Sequence, residues 1–444
     1  MPEKGRTNIV RVVAASMAGT TVEWYDFFLY GVAAALVFGK VFFPGSDPAA
    51  GTLLALGTFA IGFIARPIGG LVFGHFGDKV GRKQLLVLSL LLMGVSTFAI
   101  GLLPGYATIG IAAPLLLTLL RLVQGFALGG EWGGAVLIVS EHGDPARRGF
   151  WASWPQAGAP AGQLLANGLL ALLAAVQAEA DFLAWGWRIP FLLSAVLVLI
   201  GLWVRLSVEE SPVFRAAQAA AEHQVEERLP IVQVLREYPR EVLTAMGARF
   251  AENVAYYIFT IVVTTYATKQ LGLSSSFVLG AVLIGAAVHL VTIPLWGALS
   301  DRFGRRPIYL IGAAGVGVWA FAFIALLNTR SFGAAVLAVV GGLLFHGAMY
   351  GPQAAFLSEL FGTRVRYSGV SIGYQLASIL AGGLAPIIAV ALVNATGSGY
   401  AISVYVLVAA VVTIGAVATY AETRHRDLAA DPAVGASKAD TMTR

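Results

Sequence analysis

The chain has no cysteine among its 444 residues, which removes disulfides, thiolate nucleophiles, iron–sulfur clusters and cysteine-based zinc sites together. Charge is also scarce: Asp, Glu, Lys and Arg make up 12% of the residues, against 58% hydrophobic types. With a mean hydropathy of +0.78, too little polar material is left to coat a water-soluble surface. Catalytic signatures are missing as well. No GxSxG, HExxH or GxxxxGK[ST] segment occurs, so neither hydrolysis nor an ATP-driven engine is visible; the chain is not expected to be an enzyme, and no cofactor or metal is expected. The polar opening MPEKGRTN runs into a long apolar stretch without a small-residue cleavage site, which predicts a retained first helix rather than a removed signal peptide.

Long oily runs are what the chain does have. At roughly 20 residues per spanning helix, twelve candidate spans fit, among them 10–38, 52–73, 111–139, 242–268, 333–358 and 367–393. The expected architecture is an all-α membrane protein of twelve transmembrane helices in two six-helix, pseudo-symmetric halves. Residues 1–206 and 242–421 form the bundles, 207–241 a cytoplasmic central loop and 422–444 a cytoplasmic tail. The loop predicts a helix through its Ala-rich part and a short amphipathic one after Pro230. Alternate loops collect the basic residues, such as Lys79, Arg82 and Lys83, Arg147 and Arg148, and Arg302, Arg305 and Arg306, which places both termini in the cytoplasm. The pI of about 9.4 then answers to topology and anionic membrane lipid, with no nucleic-acid partner required.

Two decapeptides repeat half a chain apart: GHFGDKVGRK from Gly74 to Lys83 and GALSDRFGRR from Gly297 to Arg306. Each reads Gly, three residues, Asp, a basic residue, one residue, Gly, two basic residues. A second landmark repeats at nearly the same distance, SEHGDPARRG from Ser140 and SELFGTRVRYSG from Ser358. Duplicated membrane halves are a common architecture of transporters. Gly81 and Gly304 permit a sharp turn between helices, while Gly74 and Gly297 let a neighbouring helix approach. Asp78 and Asp301 stand where a carboxylate can cap another helix's N–H groups and pair with arginine, here Arg82 and Arg305. Glu141 with Arg147 or Arg148, and Glu359 with Arg364 or Arg366, are expected to extend such a latch. Topogenic charge alone would account for the basic residues, but not for the Asp or the Gly.

These paired motifs resemble the loop signature of the major facilitator superfamily. TTVEWYDFFLYG at Thr20–Gly31, FIARPIGG at Phe63–Gly70 and RLVQGFALGGEWGG at Arg121–Gly134 narrow the resemblance to the bacterial metabolite:proton symporters. The resemblance covers nearly the whole chain. It implies proton-coupled transport of dicarboxylates, tricarboxylates, shikimate-like acids or zwitterions such as proline and betaine, and in relatives the loop contacts latch the cytoplasmic gate.

Charges at membrane depth cost about 2.5–3.5 kcal/mol each on insertion scales, so each is a functional candidate. For proton coupling the candidates are Glu23, Asp26, Arg121 and Glu131: a carboxylate whose protonation depends on an approaching arginine can sense conformation. Glu23 and Asp26 can equally form a structural ion pair with Arg66 or Arg121. For substrate binding the candidates are Arg121, Gln124, Arg249, Glu252, Asn253, Tyr256 and Tyr257, since guanidinium groups suit a carboxylate. Snorkelling or a gate ion pair is the competing account of Arg249 and Glu252. His289 and His346 fit either titration or interhelical hydrogen bonding, and Asn167 and Gln375 are weaker polar groups of the same kind. The expected function is proton symport of a small polar metabolite, a carboxylate or zwitterion, by a monomer; a uniporter or exchanger on the same fold is the alternative, and a non-transporting membrane sensor a more distant one.

Overall fold

The computed structural model describes residues 9–45, 48–80, 82–129, 131–206, 230–362, 365–426 and 428. Within its helices, the side chains of a few residues, including 74, 75, 77–80, 82, 83, 131–135 and 141, lie outside the description. The expected Ala-rich loop helix falls in the undescribed stretch. The amphipathic helix after Pro230 is present as Pro230–Glu237.

Each oily run becomes helix, because in a bilayer every backbone N–H and C=O must find its partner within the chain. Among the described residues, twelve helical spans follow one another. The first is α1 (Ile9–Ala33, a wide turn at Ala34–Phe38, then Gly39–Phe42). It is followed by α2 (Pro48–Val80), α3 (Arg82–Leu102), α4 (Ala112–Leu128 and Glu131–His142), α5 (Arg148–Val176) and α6 (Arg188–Leu206). The second set is α7 (Pro239–Tyr257, a wide turn at Ile258–Val262, then Val263–Lys269), α8 (Ser275–Phe303), α9 (Arg305–Asn328), α10 (Phe332–Leu360), α11 (Arg366–Thr396, with a wide turn at Ser378–Gly383) and α12 (Tyr400–Ala418). Among the described residues, seven helices are apolar and long enough to span alone, and two bent pairs, at α1 and α6, raise the number to nine. The other three are α2, α4 and α7. The apolar stretches of α2 and α4 are short, Gly57–Phe73 and Ala112–Leu128, and α7 carries Arg249, Glu252 and Asn253.

Packing repeats between the two sets. Helix α2 lies on α4 as α8 lies on α10, α3 on α6 as α9 on α12, and α1 on α5 as α7 on α11. The halves meet through the two matching pairs α5–α8 and α2–α11. An approximate two-fold axis between the halves produces this pairing.

The expected single helix over 111–139 is instead broken after Leu128. Close approach is the reason: a Cβ on Gly125 would lie 2.0 Å from the Gly62 carbonyl oxygen, and one on Gly129 would lie 2.1 Å from that of Arg66. Glycine there lets α4 touch the backbone of α2, and the same lack of side chains weakens the helix. At Gly304 the backbone has φ +103°, a conformation glycine adopts without strain, and this turns α8 directly into α9.

Candidate functional site

The face of the bundle bearing both ends of the described chain is closed by charge. Asp301, in the last turn of α8, accepts from the Gly149 and Phe150 N–H groups at 2.8 Å each, so its carboxylate caps the N-terminus of α5 in the other half. Arg305 donates to the same carboxylate at 2.6 Å. Arg148 and Arg305 both reach Glu359 on α10, at 2.9 and 3.4 Å, and the Thr423 hydroxyl donates to it at 2.6 Å. Glu359 is held by Arg148 of the opposite half and by Arg305 rather than by Arg366, whose guanidinium donates to the backbone carbonyls of Ser358 and Leu428, because the two-fold arrangement brings the start of α5 against the end of α10. Gly297 lies in the same α5–α8 contact, where a Cβ would meet the Gly149 carbonyl oxygen at 2.5 Å. The first-half counterparts Gly74, Asp78, Gly81, Arg82 and Glu141, with Glu131 and Arg364, lie outside the described side chains.

Deep in the second half is a buried polar network. Arg249 and Glu252 sit three apart on α7, on one face, and form an ion pair at 2.5 Å. Gln353 on α10 donates to Glu252 at 3.2 Å, accepts from Arg249 at 3.2 Å and donates to the Tyr309 hydroxyl at 2.8 Å. His346 Nε2 lies 3.0 Å from Glu252 Oε1, and His346 Nδ1 lies 3.0 Å from His289 Nε2. The guanidinium of Arg249 rests 3.3 Å from the ring centre of Tyr374. Arg249 is 1% exposed and Glu252 2%, which excludes snorkelling, and every polar partner of the pair comes from its own half, which excludes a gate between halves.

The first half treats its cations differently. Arg121 on α4 lies over Tyr30 at 4.3 Å and Phe59 at 4.9 Å, and Arg66 on α2 lies over Phe63 at 4.3 Å. Arg121 also donates to Gln124 at 3.2 Å, whose amide passes on to the Thr97 hydroxyl at 2.6 Å. Glu23 and Asp26 are buried on α1, within electrostatic reach of Arg66 and Arg121 respectively. The Nε atoms of Arg66, Arg121 and Arg249 have no acceptor among the described residues. Tyr256 bridges the halves: its ring stacks on His346 at 4.9 Å, and its hydroxyl faces Gln163 of α5 at 3.4 Å.

Between the halves, toward the face away from the termini, is a cavity of about 310 Å³. The wide turns of α1, α7 and α11 contribute Leu36, Thr260 and Gly383 to its wall. Asn167 and Asn394 supply amides, and Phe28 and Phe59 add rings, with Arg121 lying over that of Phe59. None of Arg121, Gln124, Arg249, Glu252, Asn253, Tyr256 or Tyr257 lines it. Asn253 instead donates to Ser378 at 3.4 Å, and Tyr257 packs edge-on against Phe63 at 5.8 Å.

The sequence model of the Major Facilitator Superfamily matches residues 16–381 and, again, 282–441. The chain belongs to the major facilitator superfamily. Within that superfamily it is 45% identical to the inner membrane metabolite transport protein YhjE of Escherichia coli K12, over 94% of this chain and 95% of the relative. It is 42% identical to the shikimate transporter of the same organism, over 91% and 94%, and 37% identical to its proline/betaine transporter, over 94% and 84%. Among solved structures, the proton:xylose symporter XylE bound to 6-bromo-6-deoxy-D-glucose superposes with a TM-score of 0.76 at 19% identity, covering 95% of this chain and 98% of that one. The twelve helices are those of a major facilitator, and the chain is a multi-pass membrane transporter of that superfamily, not an enzyme.

Several interior residues that complete these contacts carry no charge, so the sequence does not mark them: Gln353, Tyr309, Tyr374 and Tyr30. The available signal was weak. Gln353 follows Pro352 in an otherwise apolar helix, and an amide in such a run is a polar group that must find a partner.

Proposed function

We propose that the protein is a proton-coupled symporter of a small carboxylate-bearing metabolite, an organic anion or a zwitterion, working by alternating access in a bacterial cytoplasmic membrane. The observation that carries this reading is the set of three buried guanidinium groups, Arg66, Arg121 and Arg249, each with an Nε that has no acceptor among the described residues. A buried cation with a spare donor in a planar fork suits a carboxylate. Shikimate and betaine, carried by two relatives, differ in net charge and share that group. Three carboxylates at depth, Glu23, Asp26 and Glu252, are chemically able to take up and release the proton.

On this reading both termini are cytoplasmic, since Arg148, Arg302, Arg305 and Arg306 gather on the terminal face. The Asp301–Arg305–Glu359–Arg148 cluster is then the cytoplasmic gate in its closed position, and the cavity opens from the other side of the membrane. One copy, in contact with anionic lipid, is the working unit.

The test is uptake of labelled shikimate, glycine betaine and proline into proteoliposomes holding the purified protein, with and without an inward proton gradient. Accumulation above equilibrium that collapses with a protonophore is expected for at least one of them. Equal uptake with and without the gradient would make the protein a uniporter or exchanger instead.

A further inference from the structure

His289 and His346 each stand at the midpoint of a 29-residue helix, α8 and α10, and both are completely buried. With Glu252 they form a continuous chain of two hydrogen bonds, each 3.0 Å long. Neutralising Arg249 does not require this chain. Glu252 and Gln353 already satisfy one guanidinium nitrogen, and the second histidine touches neither residue of the ion pair. We infer that Glu252 is the proton-binding carboxylate of the transport cycle and that His289 and His346 are the relay that loads it. This rests on the symport reading and adds the site and the route.

The chemistry of the groups sets the direction. An ionised carboxylate only accepts, so the hydrogen bond at Glu252 Oε1 must be donated by His346 Nε2–H. Neutral His346 then has a lone pair on Nδ1, which must accept from His289 Nε2–H. That leaves the lone pair on His289 Nδ1 as the outer end of the chain, and this atom has no hydrogen-bond partner among the described residues. A proton arriving at His289 Nδ1 forms a new N–H bond there. The His289 Nε2–H proton moves to His346 Nδ1, and the His346 Nε2–H proton moves to Glu252 Oε1. At the end one proton has been gained, Glu252 is a neutral acid, both imidazoles are neutral, and each has exchanged one tautomer for the other. No other co-reactant is needed.

Among the described residues, no other carboxylate lies at hydrogen-bonding distance from the three groups. The titratable and charged groups facing them are Arg249, Tyr256 and Tyr257 on α7, Tyr309 on α9, Tyr350 on α10 and Tyr374 on α11, with Arg66 and Glu23 of the first half acting at longer range. Protonation of Glu252 removes the counter-charge of Arg249 while leaving the guanidinium in place over Tyr374. The cation is then available to a substrate carboxylate, so proton binding precedes and creates the anion site. Tyr256, stacked on His346 and facing Gln163 of α5, gives the relay a contact that must change when the halves part.

Infrared pH-difference spectra of the full-length protein in nanodiscs test the site without knowledge of the substrate. A protonated buried-carboxyl band that titrates in the wild type should vanish in Glu252→Gln and persist in Asp26→Asn. In His289→Phe, which keeps a ring of similar size, the band should remain, but its appearance after a pH jump should slow by at least tenfold. In proteoliposomes, Glu252→Gln should lose gradient-driven accumulation of labelled shikimate or glycine betaine and keep counterflow exchange. A band unchanged in Glu252→Gln and lost in Asp26→Asn overturns the inference and leaves symport intact, and so does an unslowed His289→Phe for the relay. A titrating Glu252 band in a wild type whose uptake ignores the gradient would instead sink the symport reading and leave the proton site standing.

Discussion

In the first half Arg66 and Arg121 lie on the faces of Phe63, Phe59 and Tyr30, whereas in the second half Arg249 is locked to Glu252 and Gln353. The two halves are related by an approximate symmetry axis, yet only the second adds a direct carboxylate contact to the ring face under its guanidinium. A ring face attracts the cation by roughly 0.5–2 kcal/mol and does not neutralise it. A carboxylate neutralises it, and can stop doing so when it takes a proton. The first half therefore holds its cations on ring faces with Glu23 and Asp26 within electrostatic reach, and the second half pairs its cation directly with a carboxylate that can release it.

The largest expected effect comes from breaking the second arrangement. Arg249→Ala leaves Glu252 buried beside His346 and Gln353 without its cation, and removing one member of a buried pair costs about 3–5 kcal/mol. Thermal denaturation in detergent should show a large fall in Tm, with uptake abolished. Adding Glu252→Gln to that variant should recover more than half of the lost stability and none of the uptake. Arg121→Met, which vacates ring faces and one amide, should cost clearly less stability than Arg249→Ala. A larger loss at Arg121 would erase the distinction between the halves.

A smaller effect is expected at the closed face. Asp301 accepts two backbone N–H bonds and one from Arg305, and hydrogen bonds to a charged group contribute about 1.5–3 kcal/mol each. Asp301→Asn keeps the shape and loses the charge, so the closed state should lose roughly ten- to a hundredfold in population. The absence of cysteine makes the measurement clean: spin labels at Ala146→Cys and Arg302→Cys report the distance between the halves directly. An unchanged distance distribution in Asp301→Asn would mean that packing, with no help from charge, holds this face shut.

Much of the fold is visible in the sequence because bilayer physics writes it there in oily runs and basic loops. The two decapeptides reveal the duplication, and the charges at depth stand out against their surroundings. The limits are equally physical. Helical spacing relates Arg249 to Glu252 on one helix, but His346 is 94 residues from Glu252 and His289 is 57 from His346, and no local period connects them. Gln353, Tyr309 and Tyr374 are uncharged, so nothing in composition marks them as partners. The break in α4 depends on the backbone of α2 lying against Gly125 and Gly129, a tertiary contact that an apolar run cannot announce. The network around Glu252 is for these reasons a property of packing, and only its charged members show in the sequence.

The smallest effect tests the ring contacts of the first half. Tyr30 offers Arg121 its ring at 4.3 Å and hydrogen-bonds Thr58 through its hydroxyl at 2.7 Å, so two substitutions separate the contributions. Tyr30→Phe keeps the ring and removes the hydroxyl; Tyr30→Leu removes the ring as well. If the ring positions the cation for a substrate carboxylate, Tyr30→Leu should raise the apparent KM for uptake by up to about tenfold, within the range of a buried cation–π contact, with Tyr30→Phe near wild type. Coupling should not move in either variant: the ratio of uptake with a proton gradient to uptake without one should match the wild type, since the switch belongs to Glu252 in the other half. A Tyr30→Leu protein with unchanged KM and a lowered gradient ratio would reverse the assignment, placing the switch in the first half.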